Sequence, residues 1–272
     1  MPSVFEPDSI AAAAELLTGG GRVSIDRDGG DVVLSTKRLN RVLEHEPGDL
    51  TAIVEAGIRL SELQSALAPH GQMLALDPPG DPTIGACLAG DLSGPRRHRY
   101  GAIRDLVIGV TVVLADGSVA SAGGKVVKNV AGFDLGKLFC GSRGRLGLIA
   151  RVALRLHPRP RGERTLVGPA DRWQAVHRSQ LDPIAADLLW PGRLALLVGG
   201  GRGFDGFEEA DDSVWQESAA LQLRGTKVRW DGDACLLARP GPGIAYVDAP
   251  RGEWSPLAER VRAAFDPEGV FI

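Results

Sequence analysis

The segment DPPGDPTIGACLAGDLSGPRR, from Asp77 to Arg97, carries the strongest structural signal of this 272-residue chain. It has a Pro-Pro-Gly turn, and small side chains at Gly85 and Ala86 leave the backbone accessible. Consecutive accessible amide groups bind anions such as pyrophosphate. The spacing alone fits either an anion-binding loop or a set of ordinary tight turns.

A second glycine-rich segment, KVVKNVAGFDLGKLFCGSRGRLGLIARVAL, starts at Lys125. Fourteen glycines lie between Gly80 and Gly147, a higher density than in the rest of the chain. Such a density indicates that another group approaches the backbone closely there. Taken alone, the second segment is as ambiguous as the first.

The surrounding sequence predicts short strands and helices in mixed order. A capped helix is expected over Ser9 to Leu17, and alternating apolar residues predict a strand over Ile149 to Leu156. The Pro- and Arg-rich stretch 158–162 is typical of a boundary. Beyond it we expect a small α+β unit with a helix near Phe207 to Leu221, followed by an amphipathic helix over Pro256 to Phe265.

Composition excludes several classes of protein. Lysine and arginine number 31 against 34 acidic residues, a net charge of -3 that gives no general footprint for nucleic acid. No apolar run is long enough to span a bilayer, so direct membrane insertion is not expected. The three cysteines form no CxxC pair and the five histidines show no ligand spacing, so we expect no metal site and a cytoplasmic location.

The two segments together resemble a known family, because TIGA, SGPRR, KNVAGFDL, GSRGRLGLI and a final FDPEGVF occur in one order. The chain is similar to flavoproteins of the vanillyl-alcohol oxidase and D-lactate dehydrogenase type, which carry a PCMH-type FAD-binding domain. Within that family it most resembles the FAD-binding (accessory) subunit of bacterial glycolate oxidase. The good match covers about Thr51 to Pro160 and the last helix.

The resemblance implies an α+β fold in which FAD lies between two subdomains. We expect an FAD-binding domain over residues 1–160, with subdomains of about 1–76 and 77–160. A small α+β cap domain is expected over residues 161–250. Residues 251–272 then form a C-terminal helix that packs back on the FAD-binding domain.

The resemblance also implies the residues that bind the cofactor. Matching the family motifs position by position predicts contacts from Pro78, Thr83, Ile84, Gly85, Ala86, Ser93, Gly94, Gly101 and Ile149. We interpret Lys128, Gly132, Asp134, Gly141, Ser142 and Gly144 as structural support. Neither the Asp26 loop nor the position at Asp81 supplies a histidine or cysteine for attachment, so FAD is expected to be non-covalent, and no catalytic residue is assigned.

The basic run Arg96-Arg97-His98-Arg99 has several interpretations. It is a solvated loop, a phosphate contact, a clamp for a carboxylate substrate or a docking patch. The match of SGPRR to the family favours a contact of Arg96 and Arg97 with phosphate or substrate, because guanidinium groups bind both in a bidentate manner.

Two departures from the family pattern concern the cofactor. The first cofactor loop, normally a glycine run, is DRDGGD here, which places Asp26, Asp28 and Asp31 near the expected pyrophosphate. Carboxylates beside a dianion are unfavourable. The second glycine of the TIGG turn is Ala86. Both changes predict weaker FAD binding.

The function implied is that of an FAD-binding oxidoreductase subunit in a glycolate-oxidase-like complex of glycolate catabolism. Its partners would be a second flavoprotein subunit, which oxidises the 2-hydroxy acid, and an iron-sulfur subunit. These partners would allow association with a membrane. Two alternatives stay open: a non-catalytic assembly subunit that has lost FAD binding, and a stand-alone FAD-dependent 2-hydroxy-acid oxidoreductase.

Overall fold

The computed structural model describes residues 2–27, 29–124, 134–201, 203–250, 252 and 254–272. The helices in this part of the chain are α1 Ile10–Thr18, α2 Leu60–Leu67, α3 Ile84–Gly90, α4 Arg97–Tyr100, α5 Ile103–Leu106, α6 Leu135–Phe139, α7 Trp173–Arg178, α8 Ser213–Arg224 and α9 Pro256–Phe265.

The strands lie before or between these helices, singly or in runs of up to four. They are β1 Ser3–Phe5, β2 Val23–Ile25, β3 Val32–Leu34, β4 Val42–Glu46, β5 Thr51–Glu55, β6 Gln72–Met73, β7 Val107–Val113, β8 Val119–Gly123, β9 Leu148–Arg155, β10 His157–Pro158, β11 Arg164–Pro169, β12 Ala185–Leu189, β13 Arg193–Val198, β14 Glu208–Ala210, β15 Thr226–Arg229, β16 Leu237–Arg239 and β17 Ile244–Val247.

A small parallel sheet, in the order β1-β3-β2, forms the N-terminal layer. Helix α1 begins after Ser9, whose side chain accepts a hydrogen bond from the Ala12 amide at 3.2 Å. Its apolar face buries Ala13 and Leu17. Phe271 adds a parallel bridge to Val23, so the end of the described chain joins this layer.

The central sheet is antiparallel, in the order β4-β5-β9-β7-β8. Strand β9 lies in the middle, and most of its residues are buried because both faces of the sheet are covered. Since β5 pairs with β9, strands from before and after residue 76 share this sheet. The expected subdomain boundary at 76/77 is therefore not a boundary between sheets.

The cap sheet is defined here as the seven-stranded antiparallel sheet β14-β11-β13-β12-β16-β17-β15. It has its own core, which includes Leu166, Trp173 and Leu196. The helix expected near Phe207 to Leu221 begins later, because residues 208–210 pair with β11 as an edge strand and helix α8 starts only at Ser213.

Helix α9 returns from the cap sheet to the central sheet. The ring of Phe265 meets that of Phe139 edge to face, with centroids 5.9 Å apart. After the helix, the buried carboxylate of Asp266 accepts hydrogen bonds from the amides of Val270 and Phe271 at 2.7 and 2.8 Å. These bonds turn the chain toward β2.

Candidate cofactor site

A cavity of about 290 Å³ opens where three segments from between Ile25 and Ile149 meet. The loop after β2 contributes Asp26 and Arg27, helix α3 contributes Gly85 and Ala86, and the turn before β9 contributes Arg143. Gly90, Gly144, Gly147 and Ile149 complete much of its wall. We call this space the glycine-lined cavity; its volume is at the lower end of the range for small-molecule sites.

The amide groups at the start of α3 already have hydrogen-bond acceptors within the protein, contrary to the expectation of accessible amides. The Ile84 amide donates to the Ile58 carbonyl at 2.9 Å, and the Gly85 amide donates to the Ala56 carbonyl at 2.7 Å. The Ala86 amide donates to Thr83 Oγ1 at 3.1 Å. These three donors already have partners within the protein, so they are not the accessible amides that an anion-binding loop at this position would need. Gly85 and Ala86 instead line the cavity with little bulk.

The acidic loop does lie at this cavity, but its carboxylates have internal partners. Asp26 has a positive φ of 51° and lines the cavity. Its carboxylate accepts hydrogen bonds from the amide and hydroxyl of Thr36. Asp31 accepts from the Arg22 amide at 2.8 Å. Asp28 lies outside the described residues, as do Lys128 and Gly132.

Two arginines at the cavity wall were missed by sequence reasoning. Arg27 follows Asp26 directly, and Arg143 lies within the glycine-rich turn. The Arg143 amide donates to the Ala89 carbonyl at 2.8 Å, which joins this turn to α3. The signal was present in the sequence as GSRG, but charge alone does not show that an arginine faces a cavity.

Ile149 lies where the sequence predicts a cofactor contact. It is the second residue of β9, is almost completely buried and lines the glycine-lined cavity. Three predicted residues, Gly85, Ala86 and Ile149, therefore face one space. Thr83 caps α3 and Ile84 is fully buried, so these two support the wall rather than line it.

A larger cavity of about 660 Å³ lies between the segment Asp77 to Arg96 and the cap sheet. Pro78 is part of its wall, and α8 contributes Trp215 and Gln222. We call this space the boundary cavity. Because Asp77–Gly80 lines the boundary cavity and Gly85–Gly90 lines the glycine-lined cavity, a single short segment leads from one to the other.

In the boundary cavity, the charged side chain of Arg96 contacts those of Asp77 and Glu163. Arg96 contacts Glu163 through both terminal nitrogens at 2.8 Å, and its Nε lies 3.8 Å from the Asp77 carboxylate. Burial raises the pKa of Asp77 to about 7, although Arg96 opposes this shift. Arg97 donates to Ser93 Oγ at 3.2 Å. A clamp role for Arg96 would require displacement of Glu163.

Ser93, Gly94 and Gly101 line neither cavity. Ser93 is buried, and a Cβ at Gly94 would lie 1.8 Å from the Asp77 carbonyl oxygen, so only glycine fits there. Gly101 has a φ of 83° at the end of α4. Direct contact of these three residues with a cofactor stays a prediction.

The glycine-lined cavity fits the phosphate-bearing part of a dinucleotide. Its glycines add no side chains to the wall, and Gly144 has a φ of 74°, at which any other residue would be strained. Arg27 and Arg143 lie in the same wall as Asp26, and Arg27 Nη2 donates a hydrogen bond to the main-chain oxygen of Ile272.

Comparison with known proteins agrees with this geometry. Residues 12–123 match the family described as "FAD binding domain". Residues 12–123 therefore form a domain of this FAD-binding family. The predicted family, the α+β PCMH-type fold and the FAD cofactor are thereby confirmed.

Curated relatives of the FAD-binding chain carry related names. Glycolate oxidase subunit GlcD of Bacillus subtilis is 36% identical over 170 residues, covering 62% of this chain and 36% of the relative. Glycolate oxidase subunit GlcE of Escherichia coli is 31% identical over 222 residues, covering 74% and 63%. The mitochondrial D-lactate dehydrogenase [cytochrome] 1 of Saccharomyces cerevisiae is 34% identical over 132 residues, covering 48% and 22%.

A solved structure shows the same fold. Alkyldihydroxyacetonephosphate synthase superposes with a TM-score of 0.57 at 21% identity, covering 68% of this chain and 37% of that one. The chain thus spans less than two thirds of the length of each of these relatives. Within the described part of the chain, no helix is long and apolar enough to cross a membrane.

Proposed function

We propose that the chain is the FAD-binding subunit of a glycolate-oxidase-like complex that holds a non-covalent flavin for electron transfer. The observation that carries the proposal is the glycine-lined cavity, in which three segments bring glycines and two arginines to one space. Two of these segments lie within the residues that match the FAD-binding family. Two relatives named as glycolate oxidase subunits support the choice of complex.

The chain's own residues have distinct roles in this account. Gly85 and Ala86 admit the cofactor because they add little bulk, and Arg27 and Arg143 offset phosphate charge. Thr36 holds the Asp26 carboxylate in the loop. FAD, when bound, supplies the redox chemistry, and the protein supplies binding and orientation.

The residues around the two cavities support the expectation of non-covalent binding. Among their described lining residues there is no histidine or cysteine that could attach the flavin. The same described linings offer no histidine as an acid-base group, and Arg96 is paired with Glu163. Oxidation of the 2-hydroxy acid is therefore assigned to a second flavoprotein subunit.

The proposal includes a domain division and partners. Since no sheet of the described residues contains strands from both sides of Arg161, we place the FAD-binding domain over residues 1–160 and the cap over 161–250. Residues 251–272 return to the first domain. An iron-sulfur subunit would accept the electrons, in a cytoplasmic complex that can associate with a membrane through its partners.

One observation favours a second candidate function. The Asp26 carboxylate lines the cavity in which phosphate is expected, and like charges repel. If this repulsion prevents FAD binding, the chain would be a non-catalytic subunit that serves only the assembly of the complex.

The experiment is an anaerobic spectrum of the purified chain with FAD, recorded before and after addition of glycolate or D-lactate. The proposal expects a bound flavin that stays oxidised in both acids and is reduced once a reduced partner flavoprotein is added. Bleaching by either acid alone would support a stand-alone oxidoreductase instead. Failure to bind FAD would leave the assembly role.

A further inference from the structure

The backbone carbonyl of Ser93 is held from the cap sheet side by two side chains. Gln222 Nε2 on α8 donates to this oxygen at 2.8 Å, and Arg239 Nη1 on β16 donates at 3.3 Å. Ser93 is 1% exposed, so both bonds are shielded from water. They join residues separated by more than a hundred positions in the chain.

Arg239 is itself fixed by a buried network. It is completely buried, and its Nε donates to Asp187 Oδ1 at 3.0 Å. Its Nη2 donates to Gln222 Oε1 at 2.7 Å, and its Nη1 also donates to the Tyr246 hydroxyl at 3.0 Å. A planar guanidinium with this many partners has one orientation. The position of Ser93 is therefore set by the cap sheet.

The segment after Ser93 links the position of Ser93 to the walls of both cavities. Gly94 packs directly against the Asp77 carbonyl, and the Arg96 amide donates to Asp77 Oδ1 at 3.1 Å. Asp77 begins the segment that lines the boundary cavity and continues to Gly85 in the glycine-lined cavity.

We propose that Gln222 and Arg239 are positioning residues, which hold the Ser93–Arg96 segment so that the cap controls the FAD affinity of the neighbouring domain. This rests on the proposed function for its cofactor part. The holding of the segment itself rests only on the contacts above. Through these contacts the cap affects how tightly FAD is bound, although neither Gln222 nor Arg239 lines the glycine-lined cavity.

Gln222→Met is the informative substitution. It keeps the length of the side chain but removes the shorter of the two bonds to Ser93 and one acceptor of Arg239. Loss of a shielded hydrogen bond is worth about tenfold in an equilibrium. Substitution of Arg239 would leave Asp187 buried without its partner and would unfold the cap, so it is not used.

The matched control is Gln216→Met. Gln216 lies on the same helix and lines the same boundary cavity, but its side chain makes no hydrogen bond to any residue that the structure describes. Both variants place a methionine in the wall of the boundary cavity, and only Gln222→Met removes the contact with Ser93.

The experiment measures two quantities in the full chain. The first is hydrogen exchange of the Arg96 amide in FAD-free protein, and the second is the FAD dissociation constant by fluorescence titration. We expect Gln222→Met to speed the exchange and weaken FAD binding, each by about tenfold. Gln216→Met should match the wild type in both.

The outcomes separate this inference from the proposed function. If the wild type fails to bind FAD, the proposed function is wrong, and faster exchange in Gln222→Met still supports the positioning role. If exchange rises but FAD affinity stays at the control value, the cap's control of the cofactor is overturned. If both variants equal the wild type in exchange, the positioning role is overturned.

Discussion

Arg96 and Glu163 form a two-point ion pair, in which both nitrogen–oxygen distances are 2.8 Å. Arg96 follows the Ser93-Gly94-Pro95 turn, and Glu163 precedes β11 of the cap sheet. The side chains are only 19% and 26% exposed. The pair therefore joins the two sides of the boundary cavity and occupies the guanidinium that a carboxylate substrate would need.

Glu163→Gln tests the structural role of this pair. Loss of the charge partner should lower the free energy of unfolding by about 1 kcal/mol, because the pair is bidentate and partly shielded. Urea unfolding measures the change. Asp8→Asn, which breaks the exposed pair with Arg38, is the control and should change stability by less than about 0.5 kcal/mol. Equal effects would show that the Arg96 pair is only a surface contact.

Ala86→Leu tests the glycine-lined cavity. Ala86 is exposed at the cavity wall, so the larger side chain should weaken FAD binding by at least about tenfold through steric exclusion, with little change in stability. Titration of FAD and thermal unfolding give the two readouts. Ala11→Leu, at an exposed position on α1, is the control. Unchanged affinity in Ala86→Leu would place the cofactor elsewhere.

Gly85 is a poorer position for this test. A Cβ there would lie 3.0 Å from both the carbonyl oxygen and the Cβ of Ala56. Gly85→Val therefore disturbs the packing of α3 on the strand end as well as the cavity. Any loss of FAD in that variant would reflect the fold in part.

Asp26→Asn tests the effect of the acidic loop. Asparagine tolerates the positive φ of this position and still accepts from the Thr36 amide, so the loop should be retained. Removal of the negative charge should strengthen FAD binding by about three- to tenfold at low ionic strength, and the gain should shrink as salt is added. Titrations at two salt concentrations measure this. A salt-independent or absent gain would show that Asp26 does not sense the phosphates.

Asp77→Asn tests whether the pKa of the Asp77 carboxyl group, in the wall of the boundary cavity, is raised. Burial raises the pKa of Asp77 from 3.8 to about 7. In this range the folded protein keeps a proton that the unfolded chain has released, so the Asp77 contribution to stability falls as pH rises from 3.8 to about 7. In Asp77→Asn this decrease in stability with rising pH should be absent. Urea unfolding at several pH values measures it.

Other groups titrate in the same range with the opposite sign. Burial lowers the pKa of His98 and His157, so their contribution to stability rises with pH. The difference between wild type and Asp77→Asn removes their effect, since both histidines are present in each protein. A difference that does not vary with pH would contradict the raised pKa of Asp77.

The cofactor family was accessible from sequence because its motifs are local and ordered. Gly85, Ala86 and Ile149 were predicted and do line one cavity. The anion-binding loop considered for this segment is not formed, for a physical reason. The amides of Ile84 and Gly85 donate hydrogen bonds to the carbonyls of Ile58 and Ala56, which follow strand β5. Small side chains show that a backbone is accessible, but they do not show whether its amides are free.

Sequence patterns could not predict the contacts between residues far apart in the chain. The buried Asp187–Arg239 pair joins residues on β12 and β16, and the bonds to Ser93 cross from the cap sheet to the preceding domain. No spacing rule relates such positions. The late start of α8 at Ser213 was missed because pairing of residues 208–210 with β11 overrides local helix propensity.

The most direct test of an FAD site in the glycine-lined cavity is the visible absorbance of the purified chain after incubation with FAD and gel filtration. We predict that the flavin band elutes with the protein at close to one FAD per chain and that heating releases it intact. A colourless protein peak, with all flavin in the small-molecule fraction, would contradict the account.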